Sequence, residues 1–326
     1  MSEINNTNDK VFNPINMHDL FNMQFVGQES IVENILSCGL YILAGSPKIG
    51  KSFLVLQTAY MVSKGQSLWG RKTPMNTVLY LALEDDYARL QTRLFRMFGD
   101  NPSLLLLLET KAPKVGESFE SFLDQFMLRE PSTKLIIIDT LQKVRENYGS
   151  NYSYGNDCDF LSELKAYANK HDICILLVHH TRKMHADDDF DLVSGTTGIT
   201  GTVDGAIIMK KDRRESKEAV LSISGRDIPD QKIYIKQNQE TLVWELDHEE
   251  IELWREPPDP LLETVASLGE FKGSPTSLVE QLKLNMAPNA LTRQLNMKSK
   301  RLLNEFDIIY RYSRTNEGRQ IFLLPK

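Results

Sequence analysis

The segment Gly45-Ser46-Pro47-Lys48-Ile49-Gly50-Lys51-Ser52 sets two glycines, a lysine and a hydroxyl at the spacing G-x-x-x-x-G-K-[ST]. That pattern does one kind of chemistry well. The glycines let the backbone wrap an anion so that its N–H groups point inward, the lysine reaches the outer phosphates of a triphosphate, and the hydroxyl ligates Mg²⁺. The expected ligands are therefore ATP and Mg²⁺, with Gly45 to Ser52 as the phosphate cradle and Lys51 and Ser52 in the named roles. The surroundings fit. Tyr41-Ile-Leu-Ala44 leads in as a strand, and Phe53 onward leads out as a helix whose positive N-terminus faces the anion. Lys48, inside the loop, reads as solvated.

Three further polar positions follow apolar strands. Leu135-Ile-Ile-Ile-Asp139 places a carboxylate at the C-terminal edge of the sheet, where Asp139 is expected to hold Mg²⁺ through water. Val78 to Leu83 ends in Glu84-Asp85-Asp86. Hydrolysis needs a group that orients water, and Glu84 is the candidate. The alternative for this acidic run is helix capping, through Asp85 or Asp86. Ile175 to Val178 ends in His179-His180, either of which could sense a γ-phosphate. The plainer alternatives are strand-end histidines bonded to backbone, or a metal site with His185 and Asp187 to Asp189. Asn169-Lys-His-Asp172 matches the guanine signature N-K-x-D, but it closes a helix instead of following a strand. ATP is therefore preferred over GTP.

The elements that position these groups form an α/β pattern. Gly39–Ala44, Thr77–Leu83, Leu104–Leu108, Leu135–Ile138 and Ile173–Val178 read as strands. Between them, Lys51–Ser63, Asp86–Phe98, Phe119–Leu128 and Asp159–Lys170 read as helices. Continuous Val/Ile/Leu strands separated by such helices indicate a mostly parallel sheet covered on both faces. Asp204–Met209, Ala219–Ser224, Lys232–Ile235 and Thr241–Glu245 then follow with short turns, an antiparallel extension. The expected organisation is a disordered tail over 1–20, an ATPase domain over 21–250, a Pro-rich linker over 251–260 and a small winged helix-turn-helix over 261–326.

Composition sets outer limits. The net charge of −6 over 326 residues argues against non-specific coating of nucleic acid by the whole surface, though not against a local basic groove. Bases are concentrated after Lys283. The longest apolar runs fall far short of a membrane span. Cys38, Cys158 and Cys174 show no paired spacing, so a reducing cytoplasm is expected.

Taken together, Leu43–Ser52, Val78–Asp85, Ile136–Thr140, Leu176–Lys183 and Ser194–Gly201 resemble the RecA-like fold of hexameric replicative helicases, specifically the RepA-type helicases of plasmids and phage-like elements. The resemblance covers roughly residues 20 to 245. It implies Glu84 as catalytic glutamate and His180 as γ-phosphate sensor with His179 beside it. It implies that Arg182, Lys183 and the 194–202 segment, Thr196 included, meet single-stranded DNA in the channel of a hexameric ring. Arg226 falls where related rings place an arginine finger that completes the neighbouring subunit's site. In the C-terminal module, Arg293, Lys298, Lys300, Arg301, Arg311, Arg314 and Arg319 are candidates for DNA phosphate contact, with a solvated face or a protein-binding surface as the alternatives. The function these expectations describe is an ATP-dependent DNA motor, helicase or loader, in replication of a plasmid, phage or mobile element. A nucleotide-switched regulatory ATPase that recruits partners through its winged helix, and a RecA-like recombinase, are the alternatives.

Overall fold

A computed structural model describes residues 14–23, 30–114, 118–144, 154–181, 190, 201–213, 215–251, 258–315 and 318–326. The chain divides into two compact units, Ser30–Arg255 and a second that joins Met1–Glu29 to Glu256–Lys326. A short helix α1 (Met17–Asn22) belongs to the second unit.

The larger unit runs β1 (Gly39–Gly45), α2 (Lys51–Lys64), β2 (Thr77–Ala82), α3 (Tyr87–Phe98), β3 (Leu106–Glu109), α4 (Phe119–Arg129) and β4 (Thr133–Asp139). It continues with α5 (Leu141–Val144), α6 (Tyr154–His171), β5 (Cys174–His180), β6 (Gly205–Lys210), β7 (Glu218–Gly225), β8 (Gln231–Gln237) and β9 (Trp244–Ile251). The strands make one sheet in the order β3-β2-β4-β5-β1-β6-β7-β8-β9. From β3 to β6 neighbours are parallel, and from β6 to β9 they are antiparallel. The fold is therefore α/β, mostly parallel, with an antiparallel extension.

Both faces of the central strands are dry, which is why their sequences are apolar without alternation. Tyr41, Leu43, Tyr80, Ile137 and Leu176 pack on one face with Leu54, Val55 and Leu56 of α2. Leu40, Ile42, Leu79, Leu81, Ile136 and Ile138 pack on the other with Phe119 and Leu123 of α4 and Leu161 and Leu164 of α6. Leu104, expected to start β3, lies outside the strand and is 93% exposed. β3 is an edge strand whose pairing begins at Val78↔Leu106; the Leu105 carbonyl accepts from Val78 N at 2.8 Å, and Leu104 lies beyond that last bond. The last antiparallel strand starts later than its sequence suggested, at Trp244, because Leu242 sits in a turn at φ 63°.

Register decides what meets at the C-terminal edge. Gly45 lies opposite His180, Ala82 opposite Asp139, and Gly45 opposite Met209 on its other side. The chain leaves β1 at the sheet centre and crosses β5 and β4 to reach β2. This reversal opens the crevice where α/β sheets bind ligands.

The second unit contains α7 (Pro260–Ala266), β10 (Phe271–Gly273), α8 (Pro275–Gln281), α9 (Pro288–Phe306), β11 (Ile308–Thr315) and β12 (Gly318–Pro325), with sheet order β10-β12-β11. The helices α7, α8 and α9 each begin with proline, where the missing N–H costs nothing. Pro260, expected to end a stiff linker, is thus a helix start capped by Asp259; residues 252–257 lie outside the described residues. Leu262, Val265, Leu278, Leu291, Leu295, Leu302, Tyr310 and Ile321 form its own core. The helix α1 overlaps the end of the stretch 1–20 expected to be a disordered tail. Asn16 caps it by accepting from Asp19 N at 2.9 Å, and the Asn22 carbonyl accepts from Asn296 Nδ2 of α9 at 3.4 Å. Among the described residues no helix is long and apolar enough to cross a membrane.

Asp204 stitches the larger unit together ahead of β6. Its Oδ2 accepts from Leu40 N at 3.0 Å and its Oδ1 pairs with Lys165 Nζ at 2.6 Å. Asp204→Ala leaves a backbone donor and a half-buried ammonium without this acceptor. It is expected to lower unfolding free energy by about 2–3 kcal/mol, read as a shift of the urea midpoint at unchanged m-value.

Candidate active site

The loop after β1 is wound by two left-handed residues, Lys48 at φ 64° and Gly50 at φ 103°. Space as well as angle requires glycine here. A Cβ at Gly45 would lie 2.6 Å from the Met209 carbonyl oxygen, and one at Gly50 2.7 Å from the Trp244 ring. Ser46, Pro47 and Lys48 are exposed along the loop, and Ile49 is tucked into the core. The loop ends in the N-terminus of α2, which spans 14 residues.

Lys51 is only 4% exposed. Its Nζ donates to the carbonyls of Gly45 at 2.6 Å and Ser46 at 2.9 Å, and lies 3.2 Å from His180 Nδ1. An ammonium can only donate, so Nδ1 accepts and the imidazole proton sits on Nε2. Burial lowers the Lys51 pKa to about 8, against the opposing pull of Asp139 and Glu84. Burial also lowers the His180 pKa, helped by the Lys51 charge, which favours a neutral ring. The strand register that sets Gly45 beside His180 produces this contact.

Asp139 ends β4 and is 5% exposed. Burial raises its pKa, opposed by hydrogen bonds from Ser52 and from Tyr80, whose hydroxyl donates to Oδ2 at 2.8 Å. A serine hydroxyl bonded to a carboxylate at a helix N-terminus is a hard oxygen pair of the kind Mg²⁺ prefers, with phosphate and water completing the shell. The residues present therefore fit the metal. Among the described residues no group of three or more His, Cys, Asp or Glu could hold a metal ion by itself.

The three consecutive acids separate by geometry. Asp86 caps α3, accepting from Arg89 N at 2.8 Å. Asp85 pairs with Arg93 at 2.7 Å. Glu84 turns towards Asp139 and Lys51, and its Oε1 accepts from Thr140 Oγ1 at 3.0 Å. Capping thus goes to Asp86, and Glu84 is the acid beside the phosphate loop.

Other candidates lie elsewhere. Arg226 follows β7 at the opposite edge, since Gly225 pairs with Gly205 while Met209 pairs with Gly45. Those four strand steps span roughly 13 Å. Its guanidinium is 61% exposed, 3.8 Å from Asp204 Oδ1 and 3.4 Å from the Gly201 carbonyl. Asn169 to Asp172 also lies at that opposite edge, ahead of β5, where Asp172 pairs with Lys134 at 3.3 Å. Arg182, Lys183, Thr196, His185 and Asp187 to Asp189 lie outside the described residues. In the second unit, Lys298 pairs with Asp259 at 2.5 Å and Arg301 with Glu305 at 2.6 Å, so both serve the module's own fold. Arg319 donates to Asn289 at 2.7 Å. Lys300 and Arg311 are exposed; the side chain of Arg314 lies outside the described residues. The sequence reading passed over Tyr80 and Thr140. Tyr80 stands in a run of apolar strand residues and looks like core, and only its hydroxyl separates it from Leu79 and Leu81.

Lys51 carries a measurable cost. Its folded pKa is depressed, so between about pH 8 and 10.5 the unfolded chain binds more protons and stability rises with pH. Below pH 8 the full penalty of the buried cation remains. Lys51→Met removes that penalty but also three hydrogen bonds, and is expected to stabilise the nucleotide-free protein at pH 7 by about 1–2 kcal/mol. The gain should shrink towards pH 10 in chemical denaturation.

Comparison with known proteins agrees with this fold. A solved ATPase domain superposes with a TM-score of 0.54 at 16% identity, covering 65% of this chain and 85% of that one. A DnaB-like replicative helicase, solved with its interactions with primase, superposes at 0.52 and 17% identity, covering 64% and 59%. The DNA repair protein RadA of Bacillus subtilis (strain 168) is 24% identical over 196 residues, 59% of this chain and 37% of RadA. The match thus spans under two-fifths of that relative's length. The fold is that of a RecA-like P-loop ATPase. An AAA domain model matches residues 12–186, more than half of the chain, and the protein belongs to that AAA domain family.

Proposed function

We propose that this protein is an ATP-driven motor on single-stranded DNA, a helicase or loader that works as a ring, in the replication of a plasmid, phage or other mobile element. One observation supports this reading more than any other: the candidate machinery is divided between two edges of one sheet. Lys51, Asp139, Glu84 and His180 gather at the C-terminal edge, while Arg226 stands exposed at the other. As a finger, an arginine so far from its own phosphate loop would serve a neighbour's site and not its own. That arrangement calls for a second copy, and a closed hexameric ring satisfies it for every subunit.

Bound ATP with Mg²⁺ would supply the phosphoryl group whose transfer to water drives the motor. Lys51 would exchange its loop carbonyls for phosphate oxygens at little reorganisation, because its ammonium is already desolvated and held at the loop. Ser52 and Asp139 would hold the metal. Glu84, fixed by the Thr140 hydroxyl, orients the attacking water. His180, with Nδ1 on Lys51 Nζ, registers whether that lysine has moved to phosphate. Arg226 of the adjacent subunit stabilises the developing charge. Arg182, Lys183 and Thr196 remain the proposed DNA contacts of the channel loop.

We read the second unit as a winged helix-turn-helix. Support comes from its order of helix, strand, two helices and a two-stranded hairpin around a separate core. Lys300 and Arg311 are its best-placed DNA contacts, because both are exposed. The similarity to RadA favours one other reading, a RecA-like ATPase of recombination or repair.

ATP turnover with and without single-stranded DNA, beside unwinding of a forked duplex, separates these readings. The motor predicts DNA-stimulated turnover and strand separation, both lost in Lys51→Ala. Stimulation without separation supports the loader or recombinase, and turnover indifferent to DNA removes the motor altogether. Mixing Arg226→Ala with Lys51→Ala subunits should recover part of the activity, roughly a quarter or less of wild type given random assembly and a needed wild-type pair at each site. Mixed assemblies that stay inactive would contradict the finger in trans.

A further inference from the structure

One buried group near the phosphate loop has no part in the chemistry above. Trp244 opens β9, three strands away from β6, yet its side chain is fully buried beneath the loop. Its indole Nε1 donates to the Gly50 carbonyl at 3.3 Å, and the ring occupies the space a Cβ at Gly50 would need. Its backbone is tied to the helix that begins at Lys51. Gln57 Nε2 donates to the Trp244 carbonyl at 2.9 Å, and Gln57 Oε1 accepts from Trp244 N at 2.8 Å. A second donor, Trp69 Nε1, reaches the same carbonyl at 2.8 Å. Lys211, just after β6, sets its ammonium 5.0 Å from the centre of the Trp244 ring and donates to the Ser216 carbonyl at 2.9 Å.

These contacts join three parts of the chain that the sequence keeps apart: the last turn of the phosphate loop, the first two turns of α2, and the β6–β7 turn. A left-handed glycine is the softest point of such a loop. Here that glycine is gripped through its carbonyl and its bare Cα by one rigid aromatic ring. A cation over an indole adds attraction when the pair is partly desolvated. We infer that Trp244 is a positioning residue for the nucleotide site: it fixes Gly50, and with it Lys51 and Ser52, and through Lys211 it couples the β6–β7 turn to the phosphate loop. This rests on the reading of Gly45–Ser52 as a triphosphate cradle. A purely structural role would show in global stability alone. Positioning must show in the loop itself and in substrate affinity.

Trp244→Phe keeps an aromatic ring and removes the Nε1 donor. In the nucleotide-free protein, amide exchange over residues 46–52 should accelerate about tenfold, while exchange in the central strands β4 and β5 stays near wild type. Binding of Mg-ATP should weaken about tenfold, seen as a raised KM with kcat within roughly twofold of wild type. Loop exchange unchanged from wild type overturns the inference, and so does accelerated exchange with unchanged affinity in a protein that binds ATP. The exchange measurement needs no nucleotide, so the two readings fail separately. A wild-type chain that binds no ATP sinks the functional reading, whereas a Trp244→Phe loop as protected as wild type sinks the positioning role. Should Trp244→Phe fail to fold, Lys211→Met decides. It removes the charge over the ring together with the hydrogen bond to the Ser216 carbonyl, and should speed loop exchange about threefold; no change there overturns the inference.

Discussion

The site is organised around one buried cation. Lys51 is almost wholly withdrawn from solvent, held by two loop carbonyls and one histidine nitrogen, with Asp139 and Glu84 near enough to act on it but not bonded to it. An ammonium held this way is short of negative partners. Its desolvation is a cost in the free protein that a polyanion would relieve, so the fold holds in reserve part of the free energy of binding. Other features near the loop support that arrangement. The left-handed Gly50 turns the chain so that Lys51 points back under the loop, the register of β1 against β5 brings His180 to it, and the dry strands on either side exclude water.

The same constraint explains why the surrounding polar groups are paired so fully. Tyr80 and Ser52 hold Asp139, Thr140 holds Glu84, and Arg93 and the start of α3 take up the two neighbouring acids. Asp85 and Asp86 of the run after β2 are taken up by Arg89 and Arg93 of α3, which leaves Glu84 as the one acid of the three that turns to the loop. Electrostatic preorganisation of this kind is worth most where water is absent. Arg226 has no place in this cluster: the topology of β7 carries it to the far edge of the sheet, beside Asp204.

Much of this was legible in the sequence, for identifiable reasons. The phosphate loop, Asp139 and the strands that deliver them could be read because buried parallel strands are written as unbroken apolar runs, and because G-x-x-x-x-G-K-[ST] has few uses. Register was not legible. Nothing in the order of residues states that His180 faces Gly45 and so selects one histidine of the pair for Lys51. The sequence named Glu84 from the acidic run but left the cap open between Asp85 and Asp86, since that choice depends on which carboxylate Arg89 N and the Arg93 side chain meet. Trp244 was hidden for a similar reason: it looks like an ordinary strand residue until the antiparallel extension folds back over α2. The basic residues of the C-terminal unit misled in part, because Lys298 and Arg301 have acidic partners in the module itself. The N-terminal stretch misled through composition, since the cap from Asn16 and the contact with α9 make a helix of residues that look like tail.

Calorimetric titration of the purified protein with ATP, with and without Mg²⁺, tests the central claim most directly. The account predicts one saturable site per chain whose affinity depends on magnesium and falls by at least about tenfold when the Lys51 ammonium is removed. No binding heat with Mg²⁺ present, or equal affinity with and without Lys51, would contradict it.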